Sequence, residues 1–353
     1  MTFIVDAHLD LAYNALGYGR DQRLPLDQLR AQSSAGVRGI PIVTLPELQK
    51  GGVGLVFGTL FVMPAANRFT SLDGGKTYRT AVEAHQQAMA QLDYYHRLAD
   101  DHETIRLVTD LASLDVVLTS HQPDAAAPLL GIVPLMEGAD PIREPEEAEY
   151  WYEHGLRIIG LAWDDTRYAA GAWGDGGGLT REGCRLLEVM ANFGFIADLT
   201  HMSERASLET MERYPGPVIA THSNARALVP GARQLSDTQI RLLGERGGVI
   251  GIVLFNHFLQ ADYRKGDPKQ SVTLEQVVAH IDHICQLLGS AAHVGIGSDF
   301  DGGFGAADIP AEMDSAADYG LIAVKLREKG YTAVDVAGIM GENWLNLLRR
   351  AWR

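Results

Sequence analysis

The chain has 353 residues, of which 46% are apolar, and its formal net charge is −15. This charge argues against a nucleic-acid-binding protein, because phosphate contacts need Lys and Arg. The apolar content is ample for a large core, and the length fits either two average domains or one large α/β barrel.

Short apolar runs alternate with amphipathic segments from end to end of the chain. The predicted strands are 3–7, 54–62, 130–136, 157–162, 194–199, 217–221, 248–254 and 294–298. The predicted helices are 77–101, 145–154, 180–193, 203–213, 236–245, 273–289, 314–329, 332–340 and 342–351. The alternation, repeated about eight times, predicts a (β/α)8 barrel. An open doubly wound sheet is the rival, which the lack of a glycine-rich nucleotide loop after the first strand disfavours.

Two stretches look irregular, 17–50 and the glycine-rich 164–178. The second follows a predicted strand, which in a barrel places it over the active-site mouth. No linker or change of composition divides the chain, so we expect residues 1–353 to form one domain.

The only cysteines, Cys184 and Cys285, fall in predicted helices without metal-type spacing, which favours two buried thiols over a disulfide. The first residues already look like a strand and leave no room for a signal peptide. No apolar stretch approaches the roughly 18 residues that a membrane helix needs. The sequence therefore predicts a soluble, cytoplasmic protein with no membrane partner.

The first predicted strand runs directly into His8-Leu9-Asp10. Side chains two positions apart in a strand point the same way, so this imidazole and carboxylate can converge on one point. Nitrogen and oxygen donors together suit a divalent metal ion, and zinc is the first candidate.

Four further candidate ligands each stand at the end of another apolar run: Glu137, His201, His222 and Asp299. A single residue of this kind is equally well explained as a helix cap or as a core histidine whose hydrogen bonds are satisfied. A polar group at the carboxyl end of a buried parallel strand is costly unless it is used, and in barrels that end carries the catalytic residues. Five such strand ends together predict a metal site.

The three histidines together with Asp10 and Glu137 exceed what one tetrahedral zinc requires. We therefore expect two zinc ions bridged by a carboxylate and a hydroxide, with Glu137 as the bridging carboxylate. A carboxylated lysine is the alternative bridge in other hydrolytic barrels. All six lysines fall outside the predicted strands, namely Lys50, Lys76, Lys265, Lys269, Lys325 and Lys329.

These motifs resemble the membrane (renal) dipeptidase family of zinc peptidases, the M19 group of the amidohydrolase-like barrels. The segments that carry the resemblance are Asp6-Ala-His-Leu-Asp10, Gly51-Gly-Val-Gly54, Met136-Glu-Gly138, Asp198-Leu-Thr-His201, Thr221-His-Ser-Asn224, His293-Val-Gly-Ile-Gly-Ser-Asp-Phe-Asp-Gly302 and Gly341-Glu-Asn-Trp-Leu345. They span nearly the whole chain.

The resemblance implies a role for each matching residue. His8 and Asp10 would bind one zinc and His201 and His222 the other, with Glu137 bridging. Asp299 would be the general acid and base. Arg233 matches the arginine that receives the substrate's C-terminal carboxylate, a task that suits a bidentate guanidinium. The alternative for Arg233 is a surface ion pair with Asp237.

Two positions depart from the family pattern at the substrate end. Trp163 stands where better-known members carry a histidine that helps to hold the substrate. Val253-Leu-Phe255 replaces an Asn-Phe-Tyr segment, so a phenolic hydroxyl is missing. Trp163 is therefore expected to bind substrate without acting as an imidazole donor.

The function predicted from the sequence is that of a zinc-dependent metallo-dipeptidase acting on small dipeptides. The family resemblance favours L,D-dipeptides among these substrates. One alternative is an amidohydrolase on another carboxylate-bearing amide, such as an N-acyl amino acid or a lactam. A second is a non-catalytic or tailoring protein that kept the barrel, although such a protein would be expected to lose metal ligands. A second copy of the chain, forming a homodimer, is retained as a candidate partner.

Overall fold

The computed structural model describes residues 3–33, 39–66, 77–125, 127–264 and 266–353. Within them, a ring of parallel strands is labelled here in chain order: β1 (Ile4–Leu9), β2 (Val53–Phe61), β3 (Leu130–Glu137), β4 (Ile158–Gly160), β5 (Ile196–Asp198), β6 (Val218–Ile219), β7 (Ile250–Ile252) and β8 (Val294–Ile296). Each strand pairs with its chain neighbours, and β1 pairs with β8. A parallel bridge between Ala220 and Ile250 joins β6 to β7 and closes the ring.

The predicted (β/α)8 barrel is therefore confirmed, and the open doubly wound sheet is wrong. All the predicted strands are present, most of them shorter than expected. The division of the chain into one domain, 1–353, stays a prediction.

Helices surround the ring. The α-helices are Leu11–Tyr18, Leu26–Gln32, Leu45–Lys50, Ala81–Asp101, Leu111–Ser120, Ala148–Glu153, Arg181–Phe193, Glu204–Arg213, Asp237–Glu245, Asn256–Leu259, Leu274–Leu288, Gly320–Lys329, Ala333–Ala337 and Asn343–Ala351. A π-helical turn, Gly338–Glu342, leads into the last helix. Among the described residues, the 3-10 turns are Pro145–Glu147, Lys269–Ser271 and Ala316–Asp318. Short strands outside the ring are Met63–Pro64, Thr77–Tyr78 and Ile105–Leu107.

The sequence prediction misses several elements, among them the helices Leu11–Tyr18 and Asn256–Leu259. The reading of 17–50 as irregular is wrong over Leu26–Gln32 and Leu45–Lys50, which are helical, and residues 34–38 lie outside the described residues. The strand Ile105–Leu107 and the helix Leu111–Ser120 have no counterpart in the prediction. Three strand residues are too few to show a period, but the helix carries a readable start signal, because Asp110 caps its first turn.

The strands are buried on both faces, which explains their almost continuous apolar sequences. All nine residues of β2 are buried. Leu55 and Phe57 pack in one apolar cluster with Trp344 of the last helix, whereas Val56 packs in a second cluster with the helix Ala81–Asp101. Among the described residues, no helix is long and apolar enough to cross a membrane.

The C-terminal motif fastens the last helix to the barrel. The Asn343 side chain donates to the carbonyl oxygens of Ala291 and Val294, both at 2.7 Å, and the Trp344 indole donates to Ile296 at 3.1 Å. A Cβ at Gly341 would lie 2.5 Å from the carbonyl oxygen of Phe3, so only glycine permits this approach. The motif thus fixes β8 and the start of β1, whose other ends carry candidate ligands.

Both cysteines are free thiols, as predicted. Cys285 is buried and Cys184 is half-buried, so the expectation of two buried thiols holds in full only for Cys285. Burial raises the pKa of the Cys285 thiol to about 11.

His280 is a buried histidine that serves the fold. Its Nδ1 accepts a hydrogen bond from the Ala225 backbone N–H at 3.1 Å, and its Nε2 lies 3.3 Å from the Leu259 carbonyl oxygen. Burial lowers the pKa of His280 to about 4. The unfolded chain therefore binds more protons than the folded one between this pKa and about 6.5.

Because His280 stays neutral in the folded protein, the free energy of unfolding should fall as the pH falls from about 6.5 towards about 4. The contribution of His280 to stability is complete only above about pH 6.5. Between about pH 7.5 and 4.5, the wild type should lose roughly 2–3 kcal/mol more than His280→Asn, whose side chain does not titrate. Urea unfolding of both proteins at the two pH values measures the difference, with the exposed His96→Asn as control. Equal losses in wild type and His280→Asn would contradict the assignment.

Candidate metal centre

The barrel brings the sequence-predicted ligands to one place, the rim formed by the carboxyl ends of the strands. His8 lies in β1 and Asp10 directly after it, and Glu137 is the last residue of β3. His201 and His222 each follow a strand by three residues, β5 and β6 respectively. Their donor atoms form overlapping groups in which all members lie within 4.8 Å of one another: His8, Asp10 and Glu137; Glu137, His201 and His222; and His8, His222 and Asp299.

Glu137 lies between the histidines and turns one oxygen to each side. Its Oε2 is 3.5 Å from His8 Nε2. Its Oε1 is 3.1 Å from His201 Nε2 and 3.5 Å from His222 Nε2. A carboxylate with its two oxygens facing different imidazoles has the arrangement that a ligand shared by two cations requires.

The chemistry of these residues fits a metal ion, and two of their nitrogen atoms are buried without a hydrogen-bond partner. His8 Nε2 and His201 Nδ1 are buried and accept or donate no hydrogen bond in the structure. Asp10 and Glu137 are also almost fully buried, at 5% and 6% exposure. Buried polar atoms of this kind are costly unless a bound group satisfies them, and imidazole with carboxylate is the donor set of zinc sites.

The electric field at the centre favours a positive charge near His8. Burial alone would lower the pKa of His8, but Glu137, Asp299 and Asp10 outweigh it and raise that pKa to about 10. Burial would raise the pKa of Glu137, yet His8 and His201 hold it below its ordinary value. The carboxylates thus attract a cation to this point.

The other two histidines are held neutral. Burial and the nearby Arg233 lower the pKa of His201 to about 4. Burial, together with His8 and Arg233, lowers the pKa of His222 well below its ordinary value. A neutral imidazole is the form that binds a metal ion, so both rings are ready to do so at neutral pH.

Asp299 stands at the edge of the centre, after β8. Its side chain is 15% exposed and its Oδ1 lies 3.9 Å from His8 Nε2. Burial raises its pKa well above the ordinary value, with Asp10 and Glu137 adding to the effect and His8 and Arg233 opposing it. A carboxyl group in this setting can hold a proton under conditions in which an exposed aspartate cannot.

Two residues of the centre have backbones in the left-handed region. His201 has φ 67° and Asp299 has φ 58°. Side-chain-bearing residues rarely adopt this conformation, and it concentrates at functional sites. Gly302 accommodates the Asp299 carboxylate, since a Cβ there would lie 1.9 Å from its Oδ1. This contact explains the glycine that ends the Asp299-Phe-Asp-Gly302 motif.

Buried hydrogen bonds hold the ligand-bearing strand ends together. Asp6 accepts from the His8 backbone N–H at 3.2 Å, from the Ser298 N–H and hydroxyl at 2.8 and 2.6 Å, and from the Tyr319 hydroxyl at 2.5 Å. It therefore ties β1 beside His8 to the end of β8 beside Asp299. The Thr59 hydroxyl donates to Asp10 Oδ1.

Arg233 is buried beside the centre, with 6% exposure. Its Nη2 donates to the His222 carbonyl oxygen at 2.9 Å and lies 3.2 Å from His201 Nε2. Burial lowers its pKa to about 10, which leaves the guanidinium charged at neutral pH. The alternative of a surface pair with Asp237 is wrong, because the Asp237 carboxylate bonds His283 at 2.9 Å instead.

Aromatic side chains line the rest of the rim. The half-buried Trp163 ring lies 5.9 Å from the His201 ring, 4.9 Å from Phe61 and 5.4 Å from Trp173. Trp173 itself is 5.1 Å from His201. It belongs to the glycine-rich stretch 164–178, which was predicted to lie over the mouth, but no sequence signal singled out the ring.

A second aromatic group lies beside Arg233. The guanidinium carbon of Arg233 is 5.5 Å from the centre of the Phe258 ring, and Phe255 packs against Phe258 at 5.2 Å. Phe255 also stacks on Phe304 at 4.4 Å. The Phe258 ring therefore restricts the orientation of the Arg233 guanidinium.

The lysine alternative finds no support in the described residues. Lys50, Lys269, Lys325 and Lys329 lie in helices or turns outside the ring strands. Lys76 and Lys265 lie outside the described residues.

Comparisons with known proteins agree with the fold and the motifs. A sequence model of the membrane dipeptidase family (peptidase family M19) matches residues 1–352. A protein from Klebsiella pneumoniae, named "Uncharacterized protein in pqqA 5'region", is 33% identical over 64% of this chain and 83% of its own. Dipeptidase verJ of Clonostachys rogersoniana is 28% identical over 98% of this chain and 83% of its own.

A solved structure shares the fold over almost its full length. It is a metallo peptidase from Rhodobacter sphaeroides, liganded with a phosphinate mimic of the dipeptide L-Ala-D-Ala. Its TM-score is 0.81 at 24% identity, and the match covers 99% of each chain.

Replacing Glu137 by Gln should weaken metal binding at both expected positions, because one oxygen faces each side of the centre. We expect the wild type to hold close to two zinc ions per chain after equilibrium dialysis, and Glu137→Gln to lose more than one of them. Elemental analysis measures the content, with Glu147→Gln as a matched control outside the centre. Loss of no more than one ion from Glu137→Gln would show that the carboxylate is not shared.

Proposed function

Since the chain belongs to the membrane dipeptidase family, peptidase family M19, we propose that it is a zinc-dependent dipeptidase that hydrolyses the amide bond of small dipeptides. The observation that carries the proposal is a single rim on which five candidate metal ligands, an acidic group and a buried arginine converge. The metal-dependent peptidase class follows from the family. Zinc, its number and the individual residue roles are proposals.

The ligands divide into two sets around Glu137. His8 and Asp10 would hold one zinc ion and His201 and His222 the other, because Glu137 Oε2 faces the first set and Oε1 the second. When bound, the two ions would acidify a water molecule to give a nucleophile near neutral pH and would polarise the scissile carbonyl.

Asp299 would move the proton. Its carboxyl group lies within reach of both ligand sets, since it groups with His8 and His222, and burial raises its pKa well above the ordinary value. Such a group can accept the proton of the attacking water and return it to the leaving amine. Trp163 cannot assist as an imidazole donor would.

Arg233 would bind the C-terminal carboxylate of the substrate. Its guanidinium is buried and charged, and its Nε has no hydrogen-bond partner. A bidentate carboxylate would use such a donor and would also neutralise a buried charge. This requirement favours a dipeptide with a free C-terminus over an amide without a carboxylate.

The N-terminal side chain of the substrate would then contact the tryptophans. Trp163 follows β4, two strands from β6, and its ring lies against Phe61, which ends β2. A dipeptide anchored at Arg233, with its scissile bond at the centre, would place its other end near the indole ring of Trp163 on the side of Phe61. Half-buried indole rings favour a large apolar side chain at this end.

A panel of substrates tests the proposal. Zinc-loaded protein should hydrolyse dipeptides with a free carboxylate, and kcat/KM should rise from Gly through Leu to Phe at the N-terminal position. The panel should include L,D-dipeptides, because the Rhodobacter sphaeroides structure holds a mimic of one. Turnover restricted to N-acyl amino acids or lactams would favour the broader amidohydrolase, and zinc binding without turnover would favour a tailoring role. A cytoplasmic location and a homodimer stay predictions.

Asp299→Asn should lower kcat by roughly 10²–10⁴, the usual contribution of a general acid and base, while the zinc content stays close to that of the wild type. Parallel assays of turnover and zinc content measure the two effects, and Glu137→Gln provides the contrasting variant that loses metal. If Asp299→Asn loses zinc instead, Asp299 is a ligand and another group moves the proton.

Arg233→Ala should raise KM for free dipeptides by about one to two decades, because a charge-assisted bidentate contact contributes about 1.5–3 kcal/mol. Amidated dipeptides, which lack the carboxylate, should be poor substrates of wild type and variant alike. Steady-state kinetics on both substrate types measure this, with Arg226→Ala as a matched control. Equal losses on both types would assign Arg233 to support of the His222 loop.

A further inference from the structure

The hydroxyl of Thr221 lies between two of the candidate ligands. Thr221 is fully buried and directly precedes His222. Its Oγ1 is 3.0 Å from His222 Nδ1 and 3.4 Å from His8 Nδ1. The two imidazole rings pack together, with centres 3.7 Å apart. One oxygen atom therefore contacts a histidine from each of the two ligand sets.

Asp198 decides the direction of these hydrogen bonds. Its Oδ2 lies 2.6 Å from Thr221 Oγ1, and its Oδ1 accepts the backbone N–H groups of Thr200 and Thr221, both at 3.0 Å. A carboxylate can only accept, so the single hydroxyl hydrogen of Thr221 is directed to Asp198. The hydroxyl oxygen is then left as an acceptor, so each Nδ1 atom can only donate to it. The Thr200 hydroxyl, 3.4 Å away, is a further donor within reach.

A neutral imidazole that donates through Nδ1 carries no proton on Nε2. His8 Nε2 and His222 Nε2 are the atoms that face Glu137, at 3.5 Å from its Oε2 and Oε1 respectively. His222 thus presents an unprotonated nitrogen to the centre, and His8 would do so in its neutral, metal-binding form.

We propose that Thr221 is a positioning residue that holds one histidine of each metal position in its metal-binding tautomer, with Asp198 fixing the direction of the Thr221 hydroxyl. The inference rests on the two-metal centre of the proposed function. Metal-ligating histidines usually have separate partners for their second nitrogens, and loss of such a partner weakens metal binding by 10–100-fold. Here one hydroxyl serves two rings, so one substitution should affect both positions.

The backbone of Thr221 is placed by close packing against two glycines. A Cβ at Gly251, in β7, would lie 1.9 Å from the Thr221 carbonyl oxygen, and a Cβ at Gly297, directly after β8, would lie 1.7 Å from it. Only glycine at both positions leaves room for this carbonyl. The hydroxyl is therefore carried on a backbone that has little freedom to move away from the rings.

Thr221→Val tests the inference, because it removes the hydroxyl and keeps the shape of the side chain. Thr221→Ser restores the hydroxyl, and Thr210→Val removes another buried threonine hydroxyl, one that donates to Ala206 outside the centre. Zinc affinity of each protein is measured by competition with a chromophoric chelator, and thermal unfolding of the metal-free proteins shows that they fold. Thr221→Ala is the second variant if Thr221→Val does not fold.

Thr221→Val should bind both zinc ions 10–100-fold more weakly than the wild type, whereas Thr221→Ser and Thr210→Val should stay close to it. Weakening of one ion alone would contradict the shared role, and an equal loss in Thr221→Ser would assign the effect to packing. Wild-type affinity in Thr221→Val would overturn the inference and leave the proposed function standing. A wild-type protein that binds no zinc would overturn both.

Discussion

The contact of one buried carboxylate, Glu137, with three imidazole nitrogens is the interaction on which the rest of the site depends. Buried carboxylates and imidazoles without other partners raise the free energy of the fold unless a cation joins them. Further buried polar groups support them. Asp6 fastens the strand ends beside His8 and Asp299, and Asp198 fastens the segments beside His201 and His222.

The same constraint explains features that look unfavourable when considered one at a time. The left-handed backbones of His201 and Asp299 cost conformational energy, and both side chains belong to the groups of candidate ligands at the centre. The glycines at 251, 297 and 302 leave room for groups that must approach closely. Backbone strain and closely packed glycines thus occur at the rim, while the strands below it are packed with apolar residues.

Aromatic side chains gather on the rim beside two of the candidate functional residues, His201 and Arg233. Trp163 and Trp173 stand beside His201, and Phe255 and Phe258 stand beside Arg233. Aromatic surface in place of polar groups shifts recognition from hydrogen bonding towards apolar contact.

The amino-acid sequence by itself determined the barrel and the identity of the candidate metal ligands. Apolar strands ending in His, Asp or Glu are local patterns, and parallel strands in a closed ring bring their carboxyl ends together whatever the lengths between them. Elements that are too short to show a pattern, and contacts between residues far apart in the chain, were not predicted from the sequence. The strand Ile105–Leu107 has three residues, too few for a period to be visible.

Only the tertiary structure decided how the ligands are supported. Thr221 meets His8 across 213 positions of the chain, Ser298 meets Asp6 across 292, and the Trp173 ring reaches His201 from an irregular loop. A hydroxyl or an indole carries no periodicity and is common on any surface, so its partner cannot be read from its neighbours in sequence. Closure of the barrel places these groups within hydrogen-bonding or van der Waals distance, and that distance gives them their role.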